Sequence, residues 1–429
     1  MRERSVPAQT VGGPSELEPS PRNRRVGFSL LLFSACVAFL FGGCAGAPPR
    51  AVLPPAAPPA VPPPAVSRPQ APLPSVPTEA ASVRPVRVLL GGPQKGLSVT
   101  GESIRAWSFA GALVASGKGA VSLSVRGEKI GWGGEKTLSS PIDIDSPSGL
   151  RFGGKELVGR IRVSAQKGQL LAVAVVPLEE YVKAVVSREA PPSFQPEALS
   201  ALAVAVRTYA LLAMEKPREP THDVVAGVED QIFEGMEMVG EVFRRAAEST
   251  RGEVLAYRGV LARTVFHSTC GGRTENAKDA WGTDVPYLRS LACDDCLDSP
   301  MRRWDYRMTA KEGKRVALLL GIRAEETLRL DVVEWSSTGR ASRVRLSSGR
   351  VSRDVAAAVF RREAGYSRVK SLKMSILPVG DGWVFAGQGY GHGVGMCQWG
   401  ANGMAKNGKT YREILARYYP GTTLARSIP

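Results

Sequence analysis

Val176-Pro177-Leu178-Glu179-Glu180-Tyr181-Val182-Lys183-Ala184-Val185-Val186-Ser187-Arg188-Glu189-Ala190-Pro191-Pro192 carries a helical pattern that two prolines end. Leu178, Val182, Val185 and Glu189 follow helical spacing, so a carboxylate falls on the apolar stripe. Pro191 and Pro192 stop the helix just beyond it. Glu189 is thus expected in the last turn, where orphan carbonyls make the helix end partly negative. Desolvation and that negative end both disfavour ionisation and raise the acid's pKa. A glutamic acid protonated near neutral pH is what general acid chemistry requires. The plainer reading is a surface glutamate that closes a helix.

On the N-terminal side, residues 160–164 and 170–175 flank Lys167-Gly168 and predict a hairpin feeding this helix. Short apolar runs between Gly and Ser predict strands within 86–90, 121–125 and 142–144. On the other side, a second helix is predicted over about residues 197–214 with Pro196 at its start. Its small residues Ala198, Ala201 and Ala205 allow close packing. Strands follow near 254–257 and 265–267, then a β pattern from about 304 to 377 with one helix near 355–363. A last helix over 411–419 is stopped by Pro420-Gly421. The class is α+β: a mixed core with a β-rich accessory domain.

The chain of 429 residues is long enough for two or three domains. Its net charge of +16 suits a polyanionic environment, but the arginines are scattered, with no dense stripe and no RNA-binding aromatic signature. Nucleic acid is therefore not an expected partner. Arg22, Arg24 and Arg25 precede the apolar run 26–43, which ends at Cys44. This is read as an export signal of lipoprotein type over 1–44, with Cys44 lipidated; a plain cleaved signal and an anchor helix are the alternatives. Residues 45–84, crowded with Pro and Ala, read as an extended tether that holds the folded part away from a membrane. The expected divisions are then 85–160 as a β-rich region, 161–299 as the first part of the core, 300–380 as a β-rich subdomain and 381–429 as the end of the core.

Two further constellations carry chemistry. In Gly387-Gln388-Gly389-Tyr390-Gly391-His392-Gly393-Val394-Gly395-Met396-Cys397-Gln398, Gly recurs at every second position through 395. In an extended strand this bares one face and lines Gln388, Tyr390 and His392 along the other, a composition suited to a sugar. A tight structural crossing is the alternative. His267-Ser268-Thr269-Cys270 with Cys293-Asp294-Asp295-Cys296 has the spacing of a Cys3His metal site, expected as one structural zinc ion. Disulfides or free thiols compete with it in an exported chain. Cys397 reads as a packed small residue. Arg207 pairs a carboxylate or holds an acetamido carbonyl, and Glu179 and Glu180 read as structural acids of a first helical turn.

Residues 176–182, Glu189-Ala190-Pro191, 198–210, 266–274, 389–401 and 411–424 together resemble the stage II sporulation protein D (SpoIID/LytB) family. The resemblance implies a peptidoglycan lytic transglycosylase that cuts between N-acetylmuramic acid and N-acetylglucosamine and leaves 1,6-anhydro ends. Some members act on strands stripped of stem peptides. It implies Glu189 as the catalytic acid, with Arg207, Gln388, Tyr390, His392 and Gln398 as candidates for holding the glycan. Some members bind zinc near the segment matching His267. One branch is described as an amidase enhancer, so a noncatalytic glycan-binding partner of a wall amidase is the second reading. The expected location is the cell envelope, with membrane attachment through Cys44.

Overall fold

The hairpin ahead of Glu189 is the centre of the largest sheet. Arg160–Gln166 and Gln169–Val176 pair antiparallel, with Gln166 opposite Gln169. Lys167 (φ 50°) and Gly168 (φ 70°) both occupy the left-handed region, as a two-residue turn matched to strand twist requires. In Arg160–Gln166, Ile161, Val163 and Ala165 are buried and Arg160 and Arg162 face outward. Gln169–Val176 is buried almost continuously from Leu170.

The structure, a computed structural model, describes residues 75–77, 85–227, 230–237 and 239–428. The predicted signal, Cys44 and most of the tether lie outside the described residues. The main sheet has eleven strands. Its central path runs from Val224–Val225 through Val86–Leu89, the hairpin and Ile142–Asp145 to Gly96–Ser108 and Leu113–Arg126. Ser75–Pro77, inside the stretch read as tether, pairs in parallel with Thr423–Ile428 at a sheet edge, a position that tolerates Pro77. Glu253–Tyr257 lies on the other side of Thr423–Ile428. Helices and several sheets thus make a mixed α+β fold.

Pro177 ends the hairpin and starts helix α1 (Leu178–Glu189). Helix α2 (Pro196–Glu215) begins on Pro196, whose missing N–H costs nothing at a helix start. Among the described residues, α2 is the one helix long and apolar enough to cross a membrane; here it is a core helix, mostly buried. Ala198, Ala201 and Ala205 are buried, as close packing of a small-residue face demands.

Of the two roles read for Arg207, the structure shows the carboxylate pair and not the glycan contact. It is wholly buried in α2 and forms a bidentate pair with Glu179: Nε to Oε1 at 2.9 Å and Nη2 to Oε2 at 2.7 Å. Its remaining N–H groups go to Ala247 O (3.0 Å), Glu253 O (3.2 Å) and Thr250 Oγ1 (3.5 Å). A guanidinium has about five donors, and all are engaged. No donor is left for a glycan, so Arg207 is a structural residue and Glu179 is its partner.

A second hydrophobic core is built from Trp304 to Phe385, around Val344, Leu346, Phe360 and Phe385. Trp304–Met308, Gly382–Gly387 and Met374–Val379 form one three-stranded sheet; Leu328–Trp335, Ala341–Ser348 and Val351–Ala356 form another. The predicted helix is Ala357–Ala364. A second helix, Ala310–Leu319, was not expected. Its signal is the reciprocal capping box of Thr309 and Glu312.

Removing the buried Arg207 side chain leaves half-buried Glu179 without its partner and takes a donor from the Ala247 and Glu253 carbonyls. Arg207→Ala is expected to lower stability by about 3–5 kcal/mol in denaturant unfolding. Arg207→Lys restores part of this at most, because an ammonium cannot reproduce the fork.

Candidate active site

Glu189 is the last residue of α1 and is half-buried. Its Oε1 accepts the Ile232 backbone N–H at 2.9 Å and its Oε2 accepts Gln398 Nε2 at 3.3 Å. Burial raises its pKa, and these two donors oppose the rise without cancelling it. Desolvation, rather than the helix end, is the main cause.

The loop that brings Ile232 to Glu189 is pinned on both sides. Asp230 Oδ2 accepts Val225 N–H at 2.8 Å, and Asp230 Oδ1 accepts Tyr209 Oη and Arg218. Gln231 Oε1 accepts Tyr181 Oη at 2.8 Å, and Tyr181 stacks on Phe233 at 5.6 Å. Arg188 and Lys155 both pair with Glu234. In space Asp230, Gln231 and Glu234 hold the backbone donor of the acid. Nothing in the spacing of the sequence links residue 232 to residue 189, because the donor is a main-chain group.

Gln398 is the first residue of the helix Gln398–Lys406, which the sequence did not reveal. Its start is capped by Cys397 Sγ, which accepts Gly400 N–H at 3.3 Å. Trp399 meets Phe194 edge-on at 5.1 Å, and Asn402 Oδ1 accepts Gln195 N–H at 2.8 Å, so this helix is fixed against the start of α2. Among the described residues, Gln398 is the one glycan candidate that hydrogen-bonds Glu189.

The glycine-rich segment before it is not an extended strand. Gly389, Gly391, Gly393 and Gly395 all have positive φ. The close approach expected there is present: a Cβ at Gly391 (φ 111°) would lie 2.7 Å from His267 Cβ, and one at Gly395 would lie 2.1 Å from Val265 O. The segment therefore winds along residues 265–273, with Tyr390 and Thr269 exchanging backbone hydrogen bonds. Both histidines of this crossing read Val394. His267 Nδ1 donates to its carbonyl at 3.0 Å, and His392 Nδ1 accepts its N–H at 3.0 Å. The rings lie 5.5 Å apart, and His392 also contacts Trp281 at 5.2 Å. Burial, aided by Arg361, lowers the pKa of His392 to about 4, so it is a neutral ring at neutral pH. Gln388 lines a different cleft, beside Trp304 and Trp335.

Four buried sulfurs come together close by: Cys270, Cys293, Cys296 and Cys397, with all Sγ atoms within 4.8 Å of one another. Cys270 and Cys296 are 3.6 Å apart, and the four are free thiols. Hydrogen bonding with the neighbouring thiols, Cys270 first, lowers the pKa of Cys296. Cys397 Sγ also accepts Cys270 N–H at 3.3 Å. The fourth member is thus Cys397 instead of His267, whose ring is turned to Val394. Gly400 makes room for the group, since a Cβ there would meet Cys293 Sγ at 2.6 Å.

An acid at a helix end, met by a backbone N–H and an amide, defines a candidate proton-transfer site on this α+β frame. A family model described as Stage II sporulation protein matches residues 166–257, which include Glu189. Stage II sporulation protein D of Bacillus subtilis (strain 168) is 30% identical over 278 residues, covering 60% of this chain and 76% of the relative. An uncharacterized protein of Brachyspira hyodysenteriae is 31% identical over 284 residues, covering 66% and 76%. The amidase enhancer of Bacillus subtilis (strain 168) is 28% identical over 291 residues, covering 57% of this chain and 40% of that protein. The chain belongs to the stage II sporulation protein D family, as its motifs implied.

A raised carboxyl pKa has a consequence for stability. Between the unfolded and folded pKa values the native state holds more protons, so stability falls as pH rises through that window. Glu189→Gln removes this penalty. The variant is expected to melt above the wild type at pH 7 and to lose that advantage at pH 4, with about 1.4 kcal/mol for each pKa unit of the shift. Thermal unfolding of both proteins across pH checks it.

Proposed function

We propose that this protein is an exported peptidoglycan lytic transglycosylase in which Glu189 acts first as acid and then as base. The observation that carries this reading is the carboxyl group of Glu189, raised by burial and held by the Ile232 N–H and Gln398. Family membership supports a role in cell-wall remodelling.

In this reading the protonated acid donates to the glycosidic oxygen between N-acetylmuramic acid and N-acetylglucosamine as the C1–O bond breaks. The leaving sugar departs with the new hydroxyl. The carboxylate then takes the proton of the muramyl C6 hydroxyl while O6 bonds to C1. The anhydro ring closes, no water is consumed and the acid returns to its starting form. One carboxyl group suffices, unlike the two of a hydrolytic glycosidase. Ile232 N–H and Gln398 Nε2 are placed to favour the carboxylate formed midway.

The four thiols fit one structural zinc ion. With Zn–S of about 2.3 Å, a tetrahedral site spaces its sulfurs by roughly 3.8 Å. The Cys270–Cys296 separation of 3.6 Å lies near that value and far from a disulfide's approximate 2.05 Å. Four protein ligands leave no open position, so the ion would hold the Gly-rich segment to the core and take no part in the cleavage.

The amidase enhancer among the relatives supports a second reading: a glycan-binding partner of a wall amidase. A digest of peptide-free glycan strands, analysed by mass spectrometry, separates the two. The wild type is expected to release 1,6-anhydro sugars and Glu189→Gln to lose at least about a hundredfold in rate, the scale of general acid–base catalysis. Binding without products favours the partner role. For the metal, elemental analysis is expected to find one zinc per chain, lost in Cys397→Ser and kept in His267→Ala.

A further inference from the structure

The second core leaves a cleft of about 600 Å³ against the start of the glycine-rich segment, lined by Arg303, Trp304, Asp305, Trp335, Lys373 and Gln388. Its groups differ from those that contact Glu189. Trp304 is only 8% exposed, and its Nε1 is buried without a partner. The ring is also held in place: a Cβ at Gly387 would lie 2.3 Å from Trp304 Cζ2, so the indole rests on bare backbone. The side chain cannot turn to find another acceptor without leaving this seat.

The rest of the lining is complementary. Trp335, the last residue of Leu328–Trp335, is 49% exposed and offers an open aromatic face. Gln388 is tied down by its backbone, with N–H to Lys373 O at 2.8 Å and O to Ser371 Oγ at 2.7 Å, while its side-chain amide is free among the described residues. Arg303 and Asp305 have no side-chain partner among the described residues. Lys373 Nζ donates to Gly271 O at 2.7 Å and retains further N–H groups. Two cations against one carboxylate leave a net charge of +1 in the cleft.

We propose that this cleft is a saccharide subsite for a carboxylate-bearing amino sugar. A pyranose face stacks on Trp335, an acetamido carbonyl or hydroxyl accepts from the Gln388 amide, and the sugar carboxylate meets Arg303 and Lys373. A single net charge suits one carboxylate, and Asp305 opposes a polyphosphate backbone. The assignment rests on the reading of the substrate as wall glycan. It adds that the lobe holds one sugar unit of the strand while another lies at the acid.

The test titrates the full-length Glu189→Gln protein with a tetrasaccharide of alternating N-acetylglucosamine and N-acetylmuramic acid bearing free lactyl carboxylates, and separately with neutral chitotetraose. Calorimetry and tryptophan fluorescence give the affinities. Trp335→Ala is expected to weaken both ligands about tenfold, equivalent to about 1.4 kcal/mol. Arg303→Ala is expected to weaken the acidic ligand and leave chitotetraose unchanged. Both residues are exposed, and an unaltered melting temperature confirms the fold. Equal affinities in all three proteins, or tighter binding of a single-stranded oligonucleotide at Trp335, overturns the assignment. The result is independent of whether Glu189 cleaves, because the digest reports that separately.

Discussion

The buried Arg207–Glu179 pair is the constraint on which the site depends. It joins the middle of α2 to the first turn of α1 and, through Ala247 and Glu253, to the structure beyond. With the start of α1 fixed, the position of Glu189 follows from helix geometry, about 1.5 Å of rise per residue. The pair is also demanding. The guanidinium is wholly taken out of water and must be matched in geometry, so any slip of α1 against α2 leaves it uncompensated. Register between the helices is thereby set by chemistry as well as by the small-residue packing of α2.

The acid itself shows a balance of opposing effects. Burial makes its ionisation costly, while Ile232 N–H and Gln398 keep the charged form accessible. The proposed acid–base cycle needs both protonation states, and the two donors act against the burial. Its two donors come from opposite parts of the chain, a loop at 230–234 and a helix that starts at Gln398. The four-thiol group and the glycine-rich crossing brace the second of these, since Cys397 both caps that helix and joins the sulfur cluster.

The second core is attached to the same crossing. Arg340 Nη2 donates to Cys270 O and Arg273 O, each at 2.8 Å, and Ser336 Oγ donates to Glu275 Oε2 at 2.7 Å. The loop that carries the thiols is therefore held from both sides.

Much of the frame was legible in the sequence because it is written in local periodicity. The hairpin at Lys167-Gly168, α1 with its stop, α2 with Pro196 and the last helix all follow from spacing and turn chemistry. The helices at Ala310–Leu319 and Gln398–Lys406 are not written in periodicity: the first is marked only by its capping box, and the second follows a glycine-rich approach. By itself the sequence determined that a glutamate would end an apolar helix, that cysteines would offer ligands and that alternate glycines would permit close contact. Only the tertiary structure decided that Arg207 is a strut, that Cys397 completes the sulfur group in place of His267 and that a main-chain N–H from residue 232 reaches the acid. These are partnerships between residues far apart in the chain, and packing selects among the partners that composition merely makes available.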